Sequence, residues 1–222
     1  MFIKVLIAED IDFNNIAVVQ VLEELAVSKI DYTKYCDDAL TKIKKAYFDQ
    51  EPYQLLITDL SFKADYRLNK LDSGEELIAA VKHLYPEIKV IAFSIENKSF
   101  LIKSLFEKLD INAFVMKGRN SIPELKKAIL NTFQNDEKYI SPELNHILQN
   151  KTVQEIDNYD LELIKYLSIG VSQESMEAKF KEVGINPSSK STIEKRITKL
   201  KIYFNANNPT HLVAIAKDLG LV

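Results

Sequence analysis

The sequence predicts an α/β unit on a doubly wound, five-stranded parallel sheet, followed by a small all-α unit. Three observations predict it. Short, nearly continuous apolar runs alternate with amphipathic segments up to residue 134, the pattern of strands covered on both faces and joined by crossover helices. The texture turns polar and acidic over 135–157. From 158 to 222 only helical periodicities follow. Domains are therefore expected at 1–134 and 158–222, with 135–157 as a linker holding one short helix.

The strands are "FIKVLIA" (2–8), "IDYTKY" (30–35), "YQLLITD" (53–59), "KVIAFS" (89–94) and "NAFVMK" (112–117). Helical spacing fills the gaps. Ile16, Val19, Leu22 and Leu25 recur at three-residue intervals within 13–26, and 37–49, 73–84 and 98–109 repeat the pattern. "SIPELKKAILNTF" opens with Ser121 and carries Glu124 three residues on, a capping box. In the linker, Ser141-Pro142-Glu143 places proline at a first helical position. Beyond it, helices are expected near 158–169, 172–183, 189–204 and 208–219.

Composition bounds the function class. A chain of 222 residues favours two domains, and 46% hydrophobic with 27% charged residues is ordinary for a soluble globular protein. Cys36 is the only cysteine, so no intrachain disulfide forms and a reducing compartment fits. The run "MFIKVLIAED" is short for a signal peptide and acids interrupt it. No stretch approaches the ~20 apolar residues of a membrane helix, so a cytoplasmic location without membrane contact is expected. The net charge of −3 is unevenly spread: residues 158–222 carry nine basic and seven acidic side chains, and 188–201 alone carry five basic and one acidic. A local basic stripe of this kind is compatible with nucleic acid, but charge alone favours a solvated helix face.

The chemistry lies at the strand ends. In an open α/β sheet, ligands sit beyond the carboxyl ends of the strands. There the first strand runs into Glu9 and Asp10, the third into Asp59, the fourth into Ser94 and the fifth into Lys117. Three converging carboxylates repel one another, and such a cluster raises its own pKa values or recruits a cation; hard oxygen ligands suit Mg²⁺. Lys117 adds a compact positive charge and Ser94 a hydroxyl donor. These are the parts needed to transfer a phosphoryl group to a carboxylate, with Asp59 as nucleophile.

With "VLIAED", "LLITDL", "VIAFS" and "AFVMKG" in place, residues 1–134 resemble the receiver domain of two-component response regulators, a flavodoxin-like fold. The resemblance implies that Asp59 accepts phosphate from a sensor histidine kinase. It also implies that Asp10 binds Mg²⁺ directly, Glu9 through water, and the carbonyl of Ser61 supplies a further ligand. Ser94 and Lys117 would grip the phosphoryl group, and Phe114 occupies the family's aromatic switch position. Two departures stand out. "SFKADYRLNKLDSG" (61–74) is about seven residues longer than the family's loop and lacks its proline. Gly118 replaces the proline that normally follows the lysine, where a cis peptide is common.

"IDNYDLELIKYLSIGVSQESMEAKF" (156–180) and "SKSTIEKRITKLKIYFNANNPTHLVAIAKDLGL" (189–221) resemble a LuxR-type helix-turn-helix domain. Asp157 and Asp160 stand at its opening cap, Gly170 at its first helix end and Ser172 at the next cap. Ile193, Ile197, Leu200 and Phe204 form one apolar stripe on the expected recognition helix. Glu194, Lys195 and Thr198 then face outward as base readers. Ser191, Thr192, Arg196 and Lys199 are the expected phosphate contacts. The loop 181–188 is about six residues longer than the family's turn. The expected whole is a regulator that dimerises on phosphorylation and binds double-stranded DNA. A receiver with a protein-binding helical output is the alternative. An aspartyl-phosphate hydrolase would need a carboxylate two residues after Asp59, where Ser61 stands.

Overall fold

The computed structural model describes residues 1–63, 66–67, 69–134, 137–145, 147 and 156–222. They form two compact units, one holding the sheet and one the C-terminal helices.

In the first unit, β1 (Lys4–Ala8), β2 (Lys29–Thr33), β3 (Leu55–Thr58), β4 (Lys89–Ser94) and β5 (Ala113–Met116) alternate with helices. The helices are α1 (Asp12–Glu24), α2 (Cys36–Phe48), α3 (Gly74–Leu84), α4 (Ser99–Glu107) and α5 (Ser121–Gln134). These five strands are all parallel, in the order β2-β1-β3-β4-β5.

Strand alternation divides the core. Val5, Ile7, Leu55, Ile57, Ile91, Phe93, Ala113 and Val115 pack against Val18, Val21 and Leu22 of α1 and Leu125, Ala128 and Ile129 of α5. Their neighbours Leu6, Leu56, Val90 and Phe114 point to the opposite face by the two-residue period and are also buried. The expected near-continuous apolar strands follow from this double burial.

Among the described residues the sheet has six strands, not the expected five. The sixth, β6 (Tyr139–Ile140), lies within the stretch read as linker and pairs with Ala113 and Phe114 of β5. Two residues are too few to show a period of two. Tertiary contacts hold them instead. The Lys138 ammonium reaches the Ile111 carbonyl at 2.8 Å, and the buried Ser141 hydroxyl accepts from the Met116 amide at 3.0 Å and donates to Glu124. The short helix follows as a 3-10 turn, Pro142–Leu144. The rest of the linker expected at 135–157 lies largely outside the described residues.

The second unit contains α6 (Asn158–Ser168), α7 (Gln173–Val183), α8 (Lys190–Tyr203) and α9 (Pro209–Asp218). Each begins on a side-chain cap. Asp157 and Asp160 form a capping box, Ser172 accepts from the Ser175 amide, Ser189 from Thr192, and Asn208 from His211. Gly170 ends the α6 turn in the left-handed region, φ 91°. Ile193 and Ile197 of α8 pack with Leu163, Met176 and Phe180. Leu200 packs with Ile164, Leu212 and Ala216. Phe204, at the C-cap, is half-buried and packs against the same cluster.

Candidate functional site

Parallel register sets the site. Ala8, Thr58 and Ala92 align across β1, β3 and β4, so the residues that follow emerge at one sheet edge. The order β2-β1-β3 makes the β1–β3 boundary the place where the winding reverses. Glu9 and Asp59 stand on its two sides.

The five expected residues meet there. Oxygens of Glu9, Asp10 and Asp59 lie within 4.8 Å of one another. The Lys117 ammonium donates to Glu9 Oε2 and to Asp59 Oδ2, each at 2.5 Å, and sits 5.3 Å from the Phe93 ring centre. Ser94 Oγ donates to Asp59 Oδ1 at 2.6 Å. Asp59 is 5% exposed, yet polar groups surround its carboxylate. Phe114 is fully buried on β5, three residues before the lysine. The Lys117–Gly118 peptide is trans.

Several groups that sequence reasoning passed over complete the site. The Leu60 and Ser61 amides donate to Asp59 Oδ1 at 2.6 and 3.3 Å. Asn15 donates its side-chain amide to the Glu9 carbonyl at 2.8 Å, and the Ile11 amide reaches Glu9 Oε1 at 3.1 Å. The Lys63 amide donates to Asp10 Oδ2 at 3.0 Å. Gly74 is required by close approach: a Cβ there would lie 1.8 Å from the Asp59 carbonyl oxygen. The one sequence signal for it is a glycine opening α3 directly after the long loop.

On α8 the expected DNA-contacting residues sort into two groups. Ser191, Glu194, Lys195, Thr198 and Lys199 are exposed on one helix. Thr192 and Arg196 are half-buried and committed within the protein. The Thr192 hydroxyl lies 2.8 Å from Ser189 Oγ at the cap. Arg196 pairs with Asp157 and, at 2.8 Å, with Asp160 of α6. Burial pushes the Asp160 carboxyl above its ordinary range, against the attraction of Arg196. Asp157 is also raised by burial, but the Asp160 amide and Arg196 outweigh it and hold it below the ordinary value.

No protein-family model and no curated protein matches the chain. Solved structures do. The RcsB response regulator of Salmonella typhimurium is 19% identical, with 97% of this chain and 99% of that one covered at a TM-score of 0.68. An RcsB–DNA complex is 20% identical, with 98% of each chain covered at 0.65. The isolated REC domain of RcsB from Salmonella enterica serovar Typhimurium, solved in the presence of the phosphomimetic BeF3⁻, is 22% identical, with 65% of this chain and 97% of that one covered at 0.52. The likeness is one of fold: this chain has the two-unit α/β-plus-helical fold of the RcsB response regulator.

Proposed function

We propose that the protein is a two-component response regulator: Asp59 takes a phosphoryl group from a sensor histidine kinase, and the C-terminal unit binds double-stranded DNA to regulate transcription. It acts in the cytoplasm as a phosphoacceptor rather than an enzyme, with at most self-catalysed phosphotransfer and dephosphorylation. Its first domain is the sheet unit, residues 1–134 together with β6, and its second is the helical unit, 158–222. The observation that carries this reading is the hold on Asp59. One oxygen accepts from Ser94, Leu60 and Ser61, and the other from Lys117, beside two more carboxylates.

Oxygens from three carboxylates within 4.8 Å fit a hard divalent cation. Glu9, Asp10, Asp59 and the Ser61 carbonyl would hold Mg²⁺, which when bound neutralises charge on the phosphoryl oxygens. Asp59 attacks phosphorus. A P–O bond forms and the P–N bond to the donor imidazole breaks, leaving its electron pair on nitrogen. The Lys117 ammonium and Ser94 hydroxyl, now on Asp59, pass to the new phosphoryl oxygens. Ser94 moves toward the phosphate and Phe114 follows into the space beside it, shifting a two-state equilibrium.

The shift promotes a homodimer. Phe13 and Ile16 stand 78% and 66% exposed on α1, an apolar surface for a partner. On α8, Glu194, Lys195 and Thr198 read bases in the major groove, and Ser191 and Lys199 contact phosphates. Thr192 and Arg196 support that helix from within. The RcsB neighbours include DNA-bound and BeF3⁻-bound forms, which supports the same pairing of functions here.

The test is phosphorylation by acetyl phosphate with Mg²⁺, read by intact mass. The wild-type chain gains one phosphoryl group and Asp59→Asn gains none. Labelling retained in Asp59→Asn places the acceptor elsewhere and ends this reading.

A further inference from the structure

The loop that begins at Lys117 carries the ammonium that grips Asp59, yet packing holds it weakly. Gly118, Arg119 and Asn120 are exposed. A Cβ on Gly118 would meet nothing within 4 Å among the described residues. A cavity of about 170 Å³ lies against the loop, with Glu124 and Glu143 on its wall. Hydrogen bonds hold the loop instead. The Lys117 amide donates to the Ser94 carbonyl at 2.8 Å. On the other side of β5, the Tyr139 and Ser141 amides donate to the Asn112 and Phe114 carbonyls at 3.0 Å each. One rung farther along, the Met116 amide donates to Ser141 Oγ, also at 3.0 Å. The same hydroxyl donates to the Glu124 carboxylate in the first turn of α5. Ser141 is fully buried. It joins both sides of the loop: Met116, which precedes Lys117, and Glu124, where α5 begins.

We propose that Ser141 is a positioning residue for phosphoryl transfer, which through Met116 and Glu124 fixes where the Lys117 ammonium stands against Asp59; the inference rests on the reading of Asp59 as phosphoacceptor. A lysine is a point charge on a flexible stem. The backbone from which the stem starts therefore decides how often the ammonium lies where the phosphoryl oxygens arrive. Misplacing a group in the transition state by about 1 Å costs up to about 100-fold in rate. Ser141 acts on β5 and α5, whereas Glu9, Asp10 and Asp59 follow β1 and β3. Its effect on transfer is therefore separable from cation binding.

The test is acetyl phosphate labelling of the full-length chain, followed by intact mass over time, beside calorimetric titration with Mg²⁺. Ser141→Ala is expected to slow labelling about tenfold. Its Mg²⁺ affinity is expected to be unchanged or tighter, because an ammonium that stands off the carboxylates opposes the cation less. A general loosening of the site would weaken both. Glu124→Ala breaks the second arm and is expected to slow labelling in the same direction. Glu124→Gln keeps an acceptor for the hydroxyl and is expected to recover most of the rate. Melting in chelator checks the fold of each variant, and where Ser141→Ala does not fold, Glu124→Ala against Glu124→Gln decides. Labelling at the wild-type rate in folded Ser141→Ala, or slowing matched by weaker Mg²⁺ binding, overturns the positioning role and leaves Asp59 as acceptor. A wild-type chain that takes up no phosphoryl group overturns the acceptor and the role of Ser141 with it.

Discussion

Lys117→Met removes one ammonium from between two carboxylates and keeps an unbranched stem against Phe93. In the wild type the ammonium lies 2.5 Å from both Glu9 and Asp59, whose side chains are 2% and 5% exposed. At an effective dielectric near 20, each contact is worth about 7 kcal/mol in Coulomb energy. Desolvation of three buried charges cancels most of that. The variant leaves Glu9, Asp10 and Asp59 with oxygens within 4.8 Å of one another. Their repulsion is at least about 3 kcal/mol per pair at the same dielectric, in line with the loss of about 3–5 kcal/mol when one partner of a buried pair is removed. For a unit of this size the melting transition falls by ~10 °C in chelator. Excess Mg²⁺ restores most of it by supplying the missing positive charge, while acetyl phosphate labelling stays low because no ammonium meets the phosphoryl oxygens. Differential scanning calorimetry with and without Mg²⁺ makes the measurement. A variant as stable as wild type in chelator, or one that Mg²⁺ fails to rescue, refutes the placement of Lys117 as the counter-charge of this cluster.

Gly74→Ala forces a Cβ to within 1.8 Å of the Asp59 carbonyl oxygen; it is expected to cost about 3 kcal/mol or more and to slow labelling of Asp59, and an unchanged denaturant midpoint with normal labelling would refute the close approach. Cys36 is 3% exposed, and burial, helped by Asp37, pushes its thiol up to about 12; near pH 8 its thiolate fraction is about a thousandfold below that of an ordinary cysteine. A thiol reagent is therefore expected to label it only after unfolding, and rapid stoichiometric labelling of the native chain would contradict this. In the C-terminal unit, Arg196→Ala strands Asp160, whose side chain is 2% exposed, and is expected to lower stability by about 2 kcal/mol, discounted for the partial exposure of Arg196. Lys199→Ala leaves stability unchanged and weakens DNA binding evenly across sequences, with the salt slope reduced by about one, while Lys195→Ala alters base preference. DNA affinity lost in Arg196→Ala at full stability would instead make Arg196 a phosphate contact.

Much of this was legible from local pattern. Apolar runs located β1 to β5, because strands buried on both faces need apolar residues at nearly every position. Ser172 marked its helix start, and Asp157 with Gly170 bounded α6, because caps satisfy backbone groups within a few residues. Glu9, Asp10, Asp59, Ser94 and Lys117 were legible as a group because each directly follows or closes a strand, and parallel strands end on one edge. The apolar stripe of α8 was legible from Ile193 to Phe204, whose half-buried ring still packs against the Ile164–Leu212 cluster although the helix ends there.

What the chain's order alone determined is therefore which polar residues close the strands and which element each belongs to. The folded structure decided which of them are committed to one another. Arg196 read as a surface cation becomes an internal partner of Asp157 and Asp160, thirty-nine and thirty-six residues away. The β6 strand exists because β5 offers it an open edge, and Gly74 is required because the Asp59 carbonyl passes where a side chain would begin. The physical reason is range. Periodicity and capping act over a few residues and leave a trace in sequence, whereas contacts across tens of residues are set by strand order and packing and leave none.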